Sequence, residues 1–389
     1  MKVDSVSLQL INNALGYASE EMGLALRNAA YSPNIKERMD HSAAIFDPTG
    51  RLLAQAEHVP VHLGSLPWGL KNLIDFCDKE GPRFEEGSMI MANNPYICGT
   101  HLNDVTVVAP VYVSGALVAY VANKAHHSDV GGRIPGSISI ESRTLAEEGC
   151  VLDPIRLTRK RSFVPAALRE FSSASRTPKE RLGDLRAQAA ANNTGEGRIK
   201  ALISKHGLEA FAQSARFSFS HSERMMRRRL SLLKKGLYAA VEVLEGRDGA
   251  NLRLRATVTV SWKGVEIDYD GTSAQVDYPL NSVFGVTLSG VYYVLRTLTG
   301  DDIPANHGAF SCVRVTVPQG TLLNPTPGHP VGGGNVETSQ RNADLLYRAL
   351  AKSASRLVPA AAGGSMNNVM VGGRFERSEW AFYERTAWA

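Results

Sequence analysis

Two histidines and an aspartate stand where the two ends of a single hairpin would bring them together. The run Gly99-Thr100-His101-Leu102-Asn103-Asp104 leads into one β-rich segment, and Lys124-Ala125-His126-His127-Ser128-Asp129 follows another, with Ser114-Gly115 between. Glycine supplies the positive φ that a two-residue hairpin turn requires, so residues 104–123 read as paired antiparallel strands. Opposed residues then have numbers summing to about 229, which sets Asp104 against the neighbourhood of 125 and His101 against that of 128. Facing residues lie about 5 Å apart and diagonal ones about 7–8 Å, within reach of a shared metal. Two imidazoles and a carboxylate leave positions open for water and substrate on a divalent cation, which is a catalytic rather than a closed structural pattern. Alternation along an extended segment sends only one of His126 and His127 toward Asp104. The register favours His126, with His127 or Asp129 orienting it from behind. The same residues also fit a hairpin whose ends carry hydrogen-bonded surface histidines. Cys98, three before His101, is either a softer ligand or a small buried apolar residue.

Two further clusters carry polar chemistry. Asn34-Ile35-Lys36-Glu37-Arg38-Met39-Asp40-His41-Ser42 reads first as a solvated turn after an opening helix. Gly332-Gly333-Gly334-Asn335 opens a helix, and backbone N–H groups there can receive an anion, but no Walker lysine accompanies them. The motifs of serine hydrolases, zincins and dinucleotide-binding folds are also missing. The basic run at 224–235 has apolar residues at helical spacing, which makes it an amphipathic helix with a solvated basic face and not a nucleic-acid surface.

The elements that would hold these residues follow from periodicity. An amphipathic helix spans 5–30, two short strands flank the Asp47-Pro48-Thr49-Gly50 turn, and a helix occupies 66–80. Pro110 cannot donate to a ladder, so the first strand of the hairpin is expected to be bulged or at an edge. Beyond it come a short helix near 141–148, a basic loop at 156–162, and a helical stretch from 179 to 235 broken at 192–195 and 206–207. Strands at 252–260, 265–271 and 312–317 and helices at 282–299 and 337–352 complete the reading. The expected fold is α+β: a metal-bearing α+β region at 1–150, a mainly helical segment at 151–248 and a β-rich α+β region at 249–389. A formal charge of +5 over 389 residues is too mild to demand an anionic partner. Four scattered cysteines suggest reduced thiols in a cytoplasm, and no apolar run reaches the roughly 18 residues of a membrane span.

Taken together, the segments at 32–65 (SPNIKERMDHSAAIFDPTGRLLAQAEHVPVHLGS), 93–111 (NNPYICGTHLNDVTVVAPV), 125–137 (AHHSDVGGRIPGS), 183–193 (GDLRAQAAANN), 324–341 (NPTPGHPVGGGNVETSQR) and 364–373 (GSMNNVMVGG) closely resemble the hydantoinase B/oxoprolinase family. The resemblance runs from about residue 5 to 373. It implies the B-type subunit of an ATP-dependent enzyme that opens a cyclic amide or imide such as 5-oxoproline, a hydantoin or a lactam. In such a system an ATP-binding hydantoinase A-type partner phosphorylates the substrate oxygen, and the B-type half carries a divalent metal (Zn, Mn or Fe). It implies His101, Asp104 and His126 as metal ligands, with Asp40 as a fourth. Glu37, His127 and Asp129 become candidates for proton transfer, and Gly332, Gly333, Gly334 and Asn335 for holding a phosphate or carboxylate. A hetero-oligomer without nucleic-acid or membrane contacts is the expected assembly. The related ketone carboxylases, and an inactive scaffold for the A-type partner, remain alternative readings. Asn94 and Cys98 replace the family's usual Asp and Gly beside the metal histidine. The family pattern continues beyond Ala389, so a truncated or split chain is expected.

Overall fold

The computed structural model describes residues 4–300, 302–366, 368–376 and 378–385. The chain opens with α1 (Ser5–Ala29), whose first turn is capped by the Asp4 carboxylate accepting from the Val6 and Ser7 amides. Leu8, Ile11, Leu15, Met22 and Leu26 recur at helical spacing and are buried along one side. A single turn, α2 (Pro33–Lys36), leads into β1 (His41–Phe46) and β2 (Leu52–Ala56), an antiparallel pair closed by the expected turn. Then follow α3 (His62–Lys79), β3 (Met89–Ala92), the four-residue α4 (Pro95–Cys98), and the hairpin of β4 (Asp104–Val113) with β5 (Ala116–His126). Strands β6 (Ile155–Arg159) and β7 (Ser162–Phe163) precede the helices α5 (Pro165–Ala174), α6 (Pro178–His206) and α7 (Leu208–Leu230).

The second half contains β8 (Gly236–Glu245), β9 (Asn251–Ser261), β10 (Gly264–Asp268), α8 (Phe284–Thr299), α9 (His307–Phe310) and β11 (Val313–Thr316). Helix α10 (Thr338–Leu350) and the ribbon of β12 (Asn368–Phe375) and β13 (Ser378–Arg385) follow. A seven-stranded sheet has the order β2-β1-β5-β4-β3-β6-β7, and a four-stranded one the order β11-β10-β9-β8. The pairing is antiparallel except between β10 and β11, so the fold is α+β with a mixed sheet, as expected. One apolar core lies between the larger sheet and α1, α6 and α7, and a smaller one fills the opposite face beneath α3. Another joins the smaller sheet to α8 and α10.

Several expectations need correction. Helix α6 runs unbroken through 192–195, because the buried Asn192 amide donates to the Val107 carbonyl and accepts from Asn123, giving its polar groups partners that a turn would otherwise supply. The break at Gly207 is real, with φ +84°. The basic loop at 156–162 is instead strand β6 turning into β7, and β8 begins at Gly236, where the stretch expected to be helical ends. The helix near 141–148 is one 3-10 turn, Leu145–Glu148. Among the described residues no helix is long and apolar enough to cross a membrane.

Pro110 lies just past the last β3–β4 pair, Ile90 with Val108, so its missing N–H costs no ladder bond on that side. The expectation of a bulged or edge first strand is not met: β4 lies between β5 and β3, and the one irregularity of the hairpin, at Val111/Tyr112, places its extra residue on β5. Tyr112 opposes Leu117 but Val111 opposes Ala119, leaving Val118 as an extra residue on β5. That one-residue shift moves the pairing sum from about 229 to about 230. It sets His126 directly opposite Asp104.

Candidate metal centre

Asp104 opens β4, His126 closes β5, and side chains of directly opposed residues share a face of the sheet. His101 reaches them from the turn just before β4. That turn is held from several sides: Asn93 donates to the Leu102 and Cys150 carbonyls, and Asn103 donates to those of His127 and Gly136. The ligating atoms of His101, Asp104 and His126 lie within 4.8 Å of one another, and all three residues are buried. His101 Nε2 is 3.0 Å from His126 Nδ1, Asp104 Oδ1 is 3.1 Å from His126 Nδ1, and His101 Nε2 is 3.5 Å from Asp104 Oδ1. Ligands about 2.1 Å from one ion at roughly 90–110° stand about 3.0–3.4 Å apart, so the spacing suits a divalent cation such as zinc. Three acceptor-type atoms facing one another, with at most one proton between any pair, are otherwise a poor arrangement for a dry site.

Electrostatics favours the form that binds a cation. Burial pushes the His101 imidazole down to about 3, which leaves it neutral with a lone pair at physiological pH. Burial alone would raise the Asp104 carboxyl, but His101, His126 and His62 beside it outweigh that and hold it well below the usual carboxylate range. Its second oxygen, Oδ2, accepts from Thr100 Oγ1 at 2.5 Å and faces His62 Nε2 at 3.4 Å. His62 Nδ1 is 3.0 Å from Ser42 Oγ on β1. His62 escaped sequence reasoning. A histidine on the first turn of a helix carries no local signal of its meeting a carboxylate 42 residues later.

Asp40 arrives from the other side. Its carbonyl accepts from the His126 amide, its own amide donates to the Asn34 carbonyl, and its Oδ2 lies 4.0 Å from His126 Nδ1. Met39, just before it, has φ 55°, an unusual conformation for a non-glycine residue and one that accumulates at functional sites. The segment is pinned from behind by Asp184 of α6, whose Oδ1 accepts from the Tyr31 and Ser32 amides.

The four side chains open onto a cavity of about 440 Å³. Val59, Pro60 and Val61 form one wall, Val286, Ser289 and Tyr293 of α8 another, and Asn335, Gln340 and Met366 the far side.

Other candidate residues are placed elsewhere. His127 points to the opposite face of the sheet, where its ring packs edge-on against Phe171 and Nε2 is 3.0 Å from Gln188 Oε1. Asp129 is buried and committed: it accepts from the Gly131, Gly136 and Arg176 amides and pairs with the Arg176 guanidinium at 2.9 Å. Glu37 is exposed at the end of α2 and is not among the cavity-lining residues. None of the three reaches the cluster. The amides of Val331 and Gly332 do hold a carboxylate, but it is the protein's own Glu148, at 2.9 and 2.8 Å. Gly333 and Gly334 serve close packing, since a Cβ on Gly334 would stand 1.8 Å from the Asn281 carbonyl oxygen. Asn335 alone of that group lines the cavity, and its Oδ1 is buried without a partner. Cys98 is a buried core residue whose thiol lies 3.4 Å from the Asn94 carbonyl oxygen, outside the cluster. Asn94 donates to Asp153 at 2.7 Å, a bond that an aspartate in its place would need a proton to make.

A family model described as hydantoinase B/oxoprolinase matches residues 4–388. An uncharacterized protein of Methanocaldococcus jannaschii is 41% identical over 98% of this chain and 67% of its own length. The 5-oxoprolinase of Dictyostelium discoideum is 32% identical over 95% of this chain, which spans only 29% of that longer protein. The crystal structure of the ATP-dependent caprolactamase from Pseudomonas jessenii superposes with a TM-score of 0.89 at 27% identity, covering 99% of this chain and 66% of that one. Matched over nearly all its length in both sequence and fold, the chain belongs to the hydantoinase B/oxoprolinase family.

Proposed function

We propose that this chain is the metal-dependent part of an ATP-dependent hydrolase that opens a cyclic amide or imide, working with a hydantoinase A-type partner. The observation that carries the reading is the convergence of His101, Asp104 and His126 on the floor of a cavity of about 440 Å³. His101 Nε2, Asp104 Oδ1 and His126 Nδ1 would hold the cation, with Asp40 as a further ligand from the open side. A divalent ion there would lower the pKa of a water molecule and polarise an oxygen of the substrate.

The chain's residues account for the rest. Asp104 supplies fixed negative charge, and Thr100 and His62 hold its second oxygen so that Oδ1 stays turned toward the two imidazoles. The valine and proline wall limits water in the cavity, which strengthens every charge interaction inside. Activation of the amide oxygen by the γ-phosphoryl of ATP is assigned to the partner. Water oxygen then bonds to the ring carbon, the C–N bond breaks as nitrogen takes a proton, and a second water cleaves the resulting acyl phosphate.

Co-purification with an A-type subunit tests the proposal. The pair is expected to open 5-oxoproline, hydantoin or a lactam only with ATP and a divalent metal, and to lose turnover in His101→Ala. Turnover by this chain alone without ATP, or by the His101→Ala pair at the wild-type rate, overturns it.

A further inference from the structure

We propose that Lys124 is a positioning residue of the metal centre, fixing the turn that carries His101 relative to the strand that carries His126. The inference rests on the metal reading above. Lys124 has no exposed surface and sits on β5 two residues before His126, on the same face of the sheet. Its neighbours across the ladder are Ser42 on β1 and Thr106 on β4. The ammonium donates to the Cys98 carbonyl at 2.6 Å, the Gly99 carbonyl at 3.2 Å and Ser65 Oγ at 3.4 Å. Its three protons are therefore all used, without a direct carboxylate partner among these contacts. Burying a charge in this way is costly and is sustained only by complete hydrogen bonding.

The two carbonyls belong to the end of the four-residue α4, where helix acceptors have no partner of their own. Gly99, in the left-handed region at φ +48°, then turns the chain toward Thr100 and His101. Helix α3 closes the far side, since a Cβ on Gly69 would stand 2.5 Å from the Cys98 carbonyl oxygen. Residues 98–99 are thus pressed between α3 and β5, and the Lys124 ammonium is their tie to β5. Asp104 and His126 are aligned by a ladder pair, whereas His101 precedes β4. Asn103 ties the far end of its turn to His127, and the ammonium ties the near end, at Cys98 and Gly99, to β5.

Co(II) titration of the purified chain, followed by visible absorption, tests this. Lys124→Met keeps the length of the side chain and removes the donors. It is expected to weaken Co(II) binding about 10–100-fold and to change the absorption band. Leu73→Ala, a cavity in the same α3 layer, is expected to lower thermal stability while leaving affinity and spectrum unchanged. Wild-type affinity and spectrum in Lys124→Met, or an equal loss in Leu73→Ala, overturns the role. Absence of Co(II) binding by the wild type overturns the metal reading and this role with it. Should Lys124→Met not fold, the wild-type chain labelled with ¹⁵N-lysine gives an independent readout. Lys124 is the one lysine among the described residues with no exposed surface, so a single slowly exchanging ammonium resonance that shifts on Co(II) addition is expected. No such protected resonance, or one indifferent to Co(II), overturns the proposal.

Discussion

Asp104 divides its two oxygens between two tasks. Oδ2 is occupied by Thr100 and His62, and Oδ1 is turned to the imidazoles of His101 and His126. Replacing the carboxylate by an amide of the same shape removes the charge and offers N–H groups where an ion needs lone pairs. Asp104→Asn is therefore expected to weaken divalent-metal binding by more than about 100-fold in a calorimetric titration, and His62→Ala by about 10–100-fold. Metal affinity within twofold of wild type in Asp104→Asn would remove this carboxylate from the ligand set. The contrast shows what was legible in the sequence. His101, Asp104 and His126 could be brought together on paper because a hairpin has arithmetic, and a bulge of one residue only improved the register. His62 had no such arithmetic, since it meets Asp104 through the packing of α3 on the sheet. His127 is next to His126 yet faces other partners, because neighbours on an extended segment point opposite ways, and Asp129, past the end of β5, is turned to the Gly131 and Gly136 amides and Arg176.

At the scale of elements, the glycine loop before α10 shows how a correct chemical reading can have the wrong ligand. Three successive glycines suggested backbone amides waiting for an anion, and the amides of Val331 and Gly332 do bind one, supplied internally by Glu148. Burial pushes the Glu148 carboxyl up from 4.5 to about 7, even though the two amides pull the other way. An acid whose pKa is raised by folding binds its proton more tightly in the native state. Its contribution to stability is thus fully present below about pH 4.5 and lost as pH rises through about 7. Urea unfolding of wild type and Glu148→Gln is expected to show the difference, wild type minus variant, falling by up to about 3 kcal/mol across that window. Parallel profiles would sink the assignment. Gly334→Ala tests the packing role separately: with the Asn281 carbonyl in the way, a loss of about 3 kcal/mol or more is expected. The helical stretch at 192–195 is the complementary lesson. Its Asn-Asn-Thr-Gly composition reads as a turn locally, and only the carbonyl of Val107 on β4 explains why the helix continues.

At the scale of the whole molecule, the cavity lies where the larger sheet meets the α8–α10 layer, and Ser289 is at the joint. Its hydroxyl accepts from the Gly64 and Ser65 amides at 3.0 and 2.9 Å and lies 2.6 Å from the Val61 carbonyl oxygen, to which it can donate. One side chain of α8 thereby satisfies the open N-terminus of α3, the helix that brings His62 to Asp104. The approach is tight, since a Cβ on Gly64 would stand 2.6 Å from the Ser289 amide nitrogen. Ser289→Ala leaves two buried amides without an acceptor, at a cost of about 1–3 kcal/mol for each such group. A fall of several degrees in the thermal midpoint is expected, because 1 kcal/mol shifts a domain of 150–250 residues by about 2–4 °C. The proposed metal ligands come from β4, β5, the turn before β4 and the segment before β1, none of which Ser289 touches. Because His62 rides on the α3 turn that Ser289 anchors, metal affinity is expected to fall, but by less than in His62→Ala, while under the proposed function the KM for a cyclic amide, measured with the A-type partner, rises as the cavity wall moves. Scanning calorimetry with a parallel metal titration separates the two effects. Unchanged metal affinity would show that the cluster does not depend on how the two layers meet.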